Sequence, residues 1–263
     1  MPTPSGERPF DWGRTSGDYA MWRPGYPPSF YNRLYAHNVG VPGQRIVDLG
    51  TGTGVLARAF GAQGARVTGV DVSAGQVAAA RELAAREALD VTFHEAPAED
   101  TALPSGAWEV VTAGQCWLYF DVDRATAEVK RLLTPDGLLV TCHLCYLPRH
   151  SAIARATEAL VLEHNPTWTG ANWEGRVPPM PSWAEGRFEL VGMFQYDENV
   201  SFTRESWRGR IRAHRGVSAT LDAEEVAAFD DAHRLLLESI APERFDVLHR
   251  IDAHLYRRGE GAT

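Results

Sequence analysis

The sequence predicts an α/β protein whose core is a doubly wound, mostly parallel β-sheet. Short apolar runs alternate with stretches of helical periodicity between residues 45 and 146. This alternation is typical of βαβ units, in which helices cover both faces of a parallel sheet. A cluster of glycines directly follows the first apolar run, and an acidic residue ends the second. Because crossovers between parallel strands are nearly always right-handed, the strands are expected to form a doubly wound sheet.

The elements of this sheet can be predicted in order along the chain. Apolar runs predict five strands, at residues 45–49, 65–70, 91–93, 109–113 and 138–145. Helices are predicted between them, at residues 55–60, 74–87 and 124–133. The residues Thr134-Pro135-Asp136-Gly137 predict a turn after the last of these helices, since Pro and Gly end helices. One helix, at residues 30–38, is predicted before the sheet.

After residue 146 the alternation stops, and the rest of the chain is predicted to complete the sheet and cover one end of it. Helices are expected at residues 151–164 and 203–215, and strands at residues 188–200 and 245–257. Asp222 and Glu225 form a capping box that predicts the start of another helix. We therefore expect three parts. These are an N-terminal helical lid (1–44), a core (45–146) and a C-terminal part (147–263) with cap segments 147–185 and 201–240.

Composition and charge favour some classes of protein over others. The 263 residues are 44% hydrophobic, and 34 acidic residues against 26 basic ones give a net charge of −8. This balance disfavours a nucleic-acid partner, because such affinity comes largely from Lys and Arg on phosphates. The longest uncharged apolar stretch, Leu138–Leu147, is far short of the ~20 residues of a membrane span. We expect a cytoplasmic protein with no membrane partner, while the oligomeric state stays open.

The three cysteines are expected to be ordinary buried thiols. Their odd number argues against a disulfide framework. Cys142 and Cys145 have the C-x-x-C spacing, but no second pair completes a zinc site, and they fall within a predicted strand. The sequence therefore predicts no metal site.

The residues VDLGTGTG (47–54) lie between the first strand and its helix, where open α/β sheets bind cofactors. Dinucleotide-binding proteins carry G-x-G-x-x-G at this point, whereas this chain has G-x-G-x-G with Asp48 before the first glycine. A carboxylate would repel a pyrophosphate, but it suits a ligand with cationic amino and sulfonium groups. Asp71 ends the second strand, where an acid binds ribose hydroxyls in either interpretation.

On these residues the chain resembles class I S-adenosylmethionine-dependent methyltransferases, in particular a small-molecule branch with trans-aconitate-type and natural-product enzymes. The resemblance covers about residues 18–146. Its motifs are DYAMWRPGYP (18–27), VDLGTGTG (47–54), VDVS (70–73), APAEDTALP (96–104), EVVTAGQCWLYFD (109–121) and RLLTPDGLLV (131–140). It implies a Rossmann-like sheet of seven strands, with S-adenosylmethionine as cofactor and S-adenosylhomocysteine as product.

The resemblance also implies which residues bind this cofactor. Its methionine and ribose part would lie over Gly50, Thr51 and Gly52, with Asp71 on the ribose hydroxyls. The residues near the adenine would be Val72, Gln76, Ala98 and Glu99. Gln115 would lie near the sulfonium and the acceptor, and Tyr19 and Arg23 would belong to the lid. Relatives often have a histidine where this chain has Leu118, so no catalytic base can be transferred from that position.

The methyl acceptor is predicted to be a small, partly aromatic or carboxylate-bearing molecule. Tyr146, Trp168 and Trp173 in the predicted cap are candidate pocket residues, although they could instead fill the core of the cap. An acceptor that starts protonated needs a base, and His143 and His150 lie closest to the expected reaction centre. Ordinary hydrogen-bonded structural histidines are the alternative.

Four arginines share one face of a predicted helix: Arg204, Arg208, Arg212 and Arg215. They form either a solvated face or a clamp for an anionic acceptor. At the level of the whole chain, a non-catalytic cofactor-binding module and a methyltransferase for a macromolecule are the alternatives to a small-molecule enzyme.

Overall fold

The computed structural model of the chain describes residues 8, 21–22 and 24–259. Its strands are β1 (Arg45–Leu49), β2 (Arg66–Asp71), β3 (Val91–Glu95), β4 (Trp108–Gly114), β5 (Leu133–Tyr146), β6 (Phe188–Thr203) and β7 (Arg244–Arg258). Its helices are α1 (Pro28–Ala36), α2 (Val55–Ala62), α3 (Ala74–Arg86), α4 (Val122–Leu132), α5 (Ala152–His164), α6 (Arg204–Arg212) and α7 (Ala223–Ile240). Short 3₁₀ helices occupy Trp117–Tyr119 and Pro148–His150. The proposed lid residues Tyr19 and Arg23 lie outside the described residues.

The strands form one seven-stranded sheet in the order β3-β2-β1-β4-β5-β7-β6. The pairings of β1 with β2 and β4, of β2 with β3, and of β4 with β5 are parallel. The chain therefore runs outward from β1 in both directions, which confirms the doubly wound, Rossmann-like sheet predicted from the sequence. The carboxyl ends of β1, β2, β4 and β5 lie at the same edge of the sheet, which we call the carboxyl edge.

The described chain forms two compact units. The sheet unit consists of Gly25–Leu144, Val177–Gln195 and the residues from Ile251 onward. The helical unit contains Cys145–Arg176 and Tyr196–Arg250. The chain passes from the first unit to the second within β5, between Leu144 and Cys145, and residues 25–44 and 177–185 are in the sheet unit. The division into lid, core and cap stays a prediction.

The core of the sheet unit is formed by strands that are apolar on both faces. Four of the five residues of β1 are buried, as expected where helices cover both sides of a parallel sheet. Helix α3 begins where the Ser73 hydroxyl accepts from the backbone N–H of Gln76, and α4 begins in the same way at Asp121. These caps fix the start of each helix just beyond the carboxyl edge.

The core of the helical unit is built around Trp207, which is fully buried. Its indole Nε1 donates to the Thr157 hydroxyl at 3.0 Å, and that hydroxyl lies 3.1 Å from Nε2 of His233. Burial lowers the pKa of His233 to about 4, so its imidazole is neutral at physiological pH. This histidine is therefore a structural residue that links α5, α6 and α7.

Two predicted boundaries are wrong. The turn expected at residues 134–137 lies within β5, which begins at Leu133 because that residue pairs with Trp108. The register between β4 and β5 shifts between Trp108 and Val110, so Pro135 and Gly137 are accommodated at an irregular part of the strand. The helix expected to reach residue 215 ends at Arg212.

Three of the four arginines of the predicted face are paired within the helical unit, whereas Arg215 lies beyond the end of α6 and contacts the Thr169 hydroxyl. Arg208 donates to both oxygens of Asp230 on α7, and Arg212 donates to the same carboxylate. Arg204 donates to the carbonyl of Ala241 through two nitrogens. These guanidinium groups therefore join α6 to α7 within the helical unit.

None of the three cysteines, all of them described, forms a disulfide. Cys142 is buried in β5 as expected, whereas Cys116 and Cys145 are only partly buried, which corrects the expectation of three buried thiols. Burial raises the pKa of both Cys116 and Cys142, which keeps them as thiols. Among the described residues, no group of three or more His, Cys, Asp or Glu is placed to hold a metal ion. Within the same residues, no helix combines the length and hydropathy that a membrane crossing requires.

A buried carboxylate on α4 provides a test of the fold. Glu128 accepts from the Thr101 backbone N–H and hydroxyl and from the Arg131 guanidinium at 2.5–2.9 Å. Burial alone would raise the pKa of Glu128, but the hydrogen bonds from Arg131 and Thr101 outweigh it and bring the pKa to about 2. Glu128→Gln is therefore expected to lower the free energy of unfolding at pH 7 by about 2–4 kcal/mol, measured by urea denaturation.

The difference between Glu128→Gln and the parent should depend on pH. A carboxylate whose pKa is depressed by folding stabilises the folded state above its unfolded pKa, and this contribution is lost as pH falls towards the folded value. The difference in free energy of unfolding between the parent and Glu128→Gln should therefore decrease by more than half between pH 7 and pH 3. Glu82→Gln, at an exposed ion pair on α3, is the control and should cost less than about 0.5 kcal/mol. A difference in free energy of unfolding that did not change with pH would contradict the lowered pKa of Glu128.

Candidate active site

The loop between β1 and α2 (residues 50–54), which we call the glycine loop, is the first part of the site. Its backbone conformation favours glycine at three positions. Gly50, Gly52 and Gly54 all have a left-handed backbone, with φ of 59°, 56° and 78°. The Thr51 N–H donates to the carbonyl of Val70 at 2.9 Å, which ties the loop to β2. The loop is thereby held at the carboxyl edge, where open α/β sheets bind ligands.

Gly50 also makes a close approach to the segment after β4. A Cβ on Gly50 would lie 2.8 Å from both Cβ and Sγ of Cys116. The Cys116 thiol lies 3.1 Å from the carbonyl oxygen of Leu49, to which it donates. The absence of a side chain at Gly50 therefore lets the residues that follow β4 pack directly on the loop that follows β1.

Gly50→Ala tests this close approach against backbone strain alone. A left-handed alanine costs about 1–2 kcal/mol, and the contact with Cys116 should add about 1–3 kcal/mol. Gly106→Ala is a matched control, because Gly106 has φ of 61° and nothing within 4 Å of the added Cβ. Urea denaturation should show a larger loss for Gly50→Ala. Equal losses in the two variants would mean that the Cys116 contact relaxes without cost.

Asp48 lies beneath the loop rather than on its surface. Its side chain is 2% exposed, and its two oxygens accept from the hydroxyls of Thr51 and Thr112 at 2.6 Å each. Burial raises the pKa of Asp48 to about 6, although these hydrogen bonds oppose the shift. The buried hydroxyl of Thr51 is likewise committed to Asp48. Both side chains shape the loop, and the geometry does not present Asp48 as a direct contact for a cationic ligand.

Asp71 ends β2 beside this loop, and it is half-buried. One carboxylate oxygen accepts from the backbone N–H of Gly52 and the other from that of Ser73, both at 2.9 Å. Burial raises the pKa of Asp71, and the backbone hydrogen bonds offset part of this. The backbone N–H of Val72 also faces this carboxylate. Because a carboxylate offers about four lone-pair positions, acceptor capacity remains for a ribose.

The residues expected near an adenine differ in how far a ligand can reach them. Val72 is 52% exposed directly after Asp71. Gln76 and Ala98 are buried, and Ala98 belongs to the apolar core of the sheet unit. Half-buried Glu99 accepts from the backbone N–H of Asp121 at 2.8 Å, which fixes the start of α4. Among these four, Val72 offers the largest accessible surface.

Gln115, directly after β4, is held in a strained conformation. Its φ of 60° is uncommon for a residue with a side chain, and such strain is concentrated at functional sites. Its backbone N–H donates to the carbonyl of Cys142, and its side-chain Nε2 donates to that of Leu144, both at 2.9 Å. The next strand therefore holds both ends of Gln115 at the carboxyl edge.

The two candidate bases lie in different surroundings. His143 is on β5, within the sheet unit, and its Nδ1 lies 3.0 Å from Oδ1 of Asp252 on β7. His150 is exposed in the 3₁₀ helix of the helical unit. Nothing in the sequence connects Asp252 with His143. The available signal was the pair Asp252 and His254, two polar residues spaced by two within the predicted last strand.

The candidate pocket residues are mainly part of the core of the helical unit. Tyr146 and Trp168 are buried there, while Trp173 is half-exposed. The ring of Tyr146 contacts the edge of Trp207 and the guanidinium of Arg210. The contacts of Tyr146, and the burial of Trp168 in the same core, favour a packing role for both residues over a role in a ligand pocket.

Comparison with known families identifies the domain that carries these features. Residues 47–141 match the family model described as "Methyltransferase domain". The match begins in β1, contains the glycine loop, Asp71 and Gln115, and ends in β5. Residues 47–141 therefore form a methyltransferase domain. S-adenosylmethionine is the cofactor of this class.

Relatives and solved structures agree with the methyltransferase domain. A demethylmenaquinone methyltransferase of Thermus thermophilus is 41% identical over 100 residues, 37% of this chain and 46% of the relative. A ubiquinone biosynthesis O-methyltransferase of Aromatoleum aromaticum is 32% identical over 102 residues, 38% and 44% of the two chains. The matched regions thus span a little under half the length of these relatives.

The likeness to solved structures extends over more of the chain than the sequence matches do. The structure of a Haemonchus contortus phosphoethanolamine N-methyltransferase with S-adenosylhomocysteine has a TM-score of 0.52 and 19% identity. It covers 94% of this chain and 58% of its own. The likeness at this identity concerns the fold alone.

The residues of the methyltransferase domain fit this cofactor. Asp71 retains acceptor capacity for a ribose, and Gly50, Gly52 and Gly54 add no side chains of their own to the loop beside it. Val72 offers an exposed apolar surface directly after Asp71. These observations favour a ligand with a nucleoside and an extended amino-acid chain, in agreement with the family match.

Proposed function

We propose that this chain is a methyltransferase that moves a methyl group from S-adenosylmethionine to a small, partly aromatic or carboxylate-bearing molecule. The observation that carries the proposal is the position of Asp71 in the matched domain. Its carboxylate lies at the carboxyl edge, anchors the glycine loop through Gly52 and keeps capacity for a ribose. The proposal covers the activity of the whole chain, whereas the family match covers residues 47–141.

The residues of the chain bind and orient the reactants. When bound, S-adenosylmethionine supplies a methyl group on a sulfonium, which is a good leaving group. Asp71 would hold the ribose, and the backbone of Gly50 and Gly52 would allow the methionine part to approach. Gln115, fixed between β4 and β5, would orient the reacting groups. Since the displacement is in-line, much of the rate would come from proximity and orientation.

The acceptor class is supported by the relatives and by charge. The names of the two relatives refer to small molecules, demethylmenaquinone in one and ubiquinone in the other. The net charge of −8 gives no general attraction for nucleic acid. Three cysteines without a disulfide among the described residues favour a reducing compartment such as the cytoplasm. We therefore propose a small-molecule acceptor.

Ligand-dependent thermal stability tests cofactor binding. S-adenosylhomocysteine at about 100 times its Kd should stabilise the protein by about 2.7 kcal/mol, raising Tm by about 5–10 °C. NAD at the same concentration is the control and should leave Tm unchanged. Stabilisation by NAD alone would overturn the cofactor assignment.

Transfer of label tests the reaction. Methyl-labelled S-adenosylmethionine should label at least one member of a panel of dihydroxybenzenes, aromatic carboxylates and aromatic amines. Labelling of the panel by the protein but not by a heat-inactivated sample would support the small-molecule enzyme. Binding of S-adenosylhomocysteine without transfer to any panel member would instead favour a non-catalytic cofactor-binding module.

A further inference from the structure

A carboxylate and two imidazoles form a polar cluster between β5 and β7 in the sheet unit. Nδ1 of His143 lies 3.0 Å from Oδ1 of Asp252, and Nδ1 of His254 lies 3.6 Å from the same oxygen. Asp252 and His254 are 1% and 2% exposed, whereas His143 is 34% exposed. The cluster is thus a buried carboxylate with one imidazole that reaches solvent.

The contacts determine which nitrogen of His143 carries the proton. Burial alone would raise the pKa of Asp252, but the hydrogen bond with His143 and the two nearby imidazoles outweigh it and lower the pKa. Asp252 is therefore ionised at neutral pH, and an ionised carboxylate can only accept. Nδ1 of His143 must donate to it. In the neutral imidazole this leaves the lone pair on Nε2, the nitrogen that does not face Asp252.

The second imidazole lies near the same carboxylate oxygen, at 3.6 Å, without a hydrogen bond to it. Nε2 of His254 lies 2.9 Å from the carbonyl oxygen of Pro178, which can only accept, so this nitrogen is the donor. The ring of His254 is thereby fixed with Nδ1 toward Asp252. The 3.0 Å contact between Nδ1 of His143 and the buried carboxylate of Asp252 is therefore the one that holds the ring of His143 in one orientation.

The exposed imidazole lies beside the strained residue of the proposed site. Cys142 and Leu144, the two neighbours of His143 on β5, provide the carbonyl oxygens that accept from Gln115. Cys142 also pairs with Gly114, the last residue of β4. His143 therefore lies at the carboxyl edge next to Gln115, within the same unit as the glycine loop and Asp71.

We propose that Asp252 positions His143 as the proton acceptor for a methyl acceptor whose reacting oxygen starts as a hydroxyl, such as a phenol. This inference rests on the proposed function. The acceptor oxygen loses its proton to Nε2 of His143 and forms a bond to the methyl carbon, while the electron pair of the broken C–S bond stays on sulfur. The imidazolium then returns its proton to water.

Chemical modification of the intact protein tests the pair without methyl transfer or cofactor. Diethyl pyrocarbonate reacts with the unprotonated nitrogen of an imidazole, and mass spectrometry reports the rate at each histidine. Asp252→Asn should slow modification of His143 by about three- to tenfold, because the charge-assisted hydrogen bond that selects the reactive tautomer is lost. Asp246→Asn, the same change at an exposed site on β7, should leave the rate unchanged.

The parent protein provides a second measurement that needs no folded Asp252 variant. Long-range ¹H–¹⁵N spectra, assigned through the missing signal of His143→Gln, should show Nδ1 of His143 protonated and Nε2 unprotonated. The opposite tautomer, or an unchanged modification rate in a folded Asp252→Asn protein, would overturn the inference. Transfer of label to carboxylates alone would overturn the acceptor class. None of these results bears on S-adenosylhomocysteine binding, which tests the proposed function separately.

Discussion

Asp71→Ala is expected to weaken binding of S-adenosylhomocysteine by about 1.5–3 kcal/mol, which is about 10- to 150-fold in Kd. Hydrogen bonds to a charged group are worth this much, and Asp71 would supply them to the ribose. The substitution also removes the acceptor for the backbone N–H of Gly52 and Ser73. The glycine loop would therefore lose one of its two hydrogen bonds to β2 named above, together with its ligand contact, and would keep the one from Thr51 to Val70.

Isothermal titration calorimetry can separate these two losses. Asp71→Asn keeps the shape and one acceptor oxygen, so it should bind more tightly than Asp71→Ala but more weakly than the parent. Glu95→Ala is the control, because Glu95 pairs with Asp71 at the end of the adjacent strand and is exposed. Parent-like affinity in Asp71→Ala would show that Asp71 does not bind the ribose.

The predicted sheet elements agree with the structure because their signals are local. The run Arg45–Leu49 is apolar between a polar segment and a glycine cluster, and β1 has the same bounds. The caps of α3 and α7, at Ser73 and Asp222, are likewise set by residues within three positions of the helix start. Where the cause of an element is its own sequence, the element can be predicted.

The arginines of α6 show that the sequence pattern of a helix does not predict the partner of its face. Spacing by four residues correctly indicates a shared helix face, but it does not identify what the face meets. Asp230, the partner of Arg208 and Arg212, lies 22 and 18 residues further along the chain on α7. The pairing of α6 with α7 decides between a solvated face and an internal ion pair, and periodicity contains no information on that pairing.

For the same reason, the partner of His143 could not be predicted from the sequence. Asp252 is 109 residues away, and the last strand was predicted without its place in the sheet. Because β7 lies between β5 and β6 rather than at an edge, a carboxylate near the end of the chain meets the strand that carries His143. The candidate histidine was available from the sequence, whereas its positioning residue depends on strand order.

His143→Gln should have the largest effect on turnover of a hydroxyl-bearing acceptor. Glutamine can still donate to Asp252 through its amide, but it cannot accept a proton at neutral pH. With a dihydroxybenzene that the labelling screen identifies, kcat should fall by about 10²–10⁴, the usual contribution of a general base. S-adenosylhomocysteine affinity should remain at the parent value, since His143 is not among the residues proposed to bind it.

Comparison of three variants makes this result specific to His143. His94→Gln replaces an exposed histidine on β3 and should keep the parent kcat. His150→Gln decides between the two candidate bases, and a larger loss there than at His143 would overturn the assignment. Asp252→Asn should lower kcat with little change in KM, because it acts on the tautomer of His143 and not on acceptor binding. If KM rose in proportion and kcat were unchanged, Asp252 would instead contribute to acceptor binding.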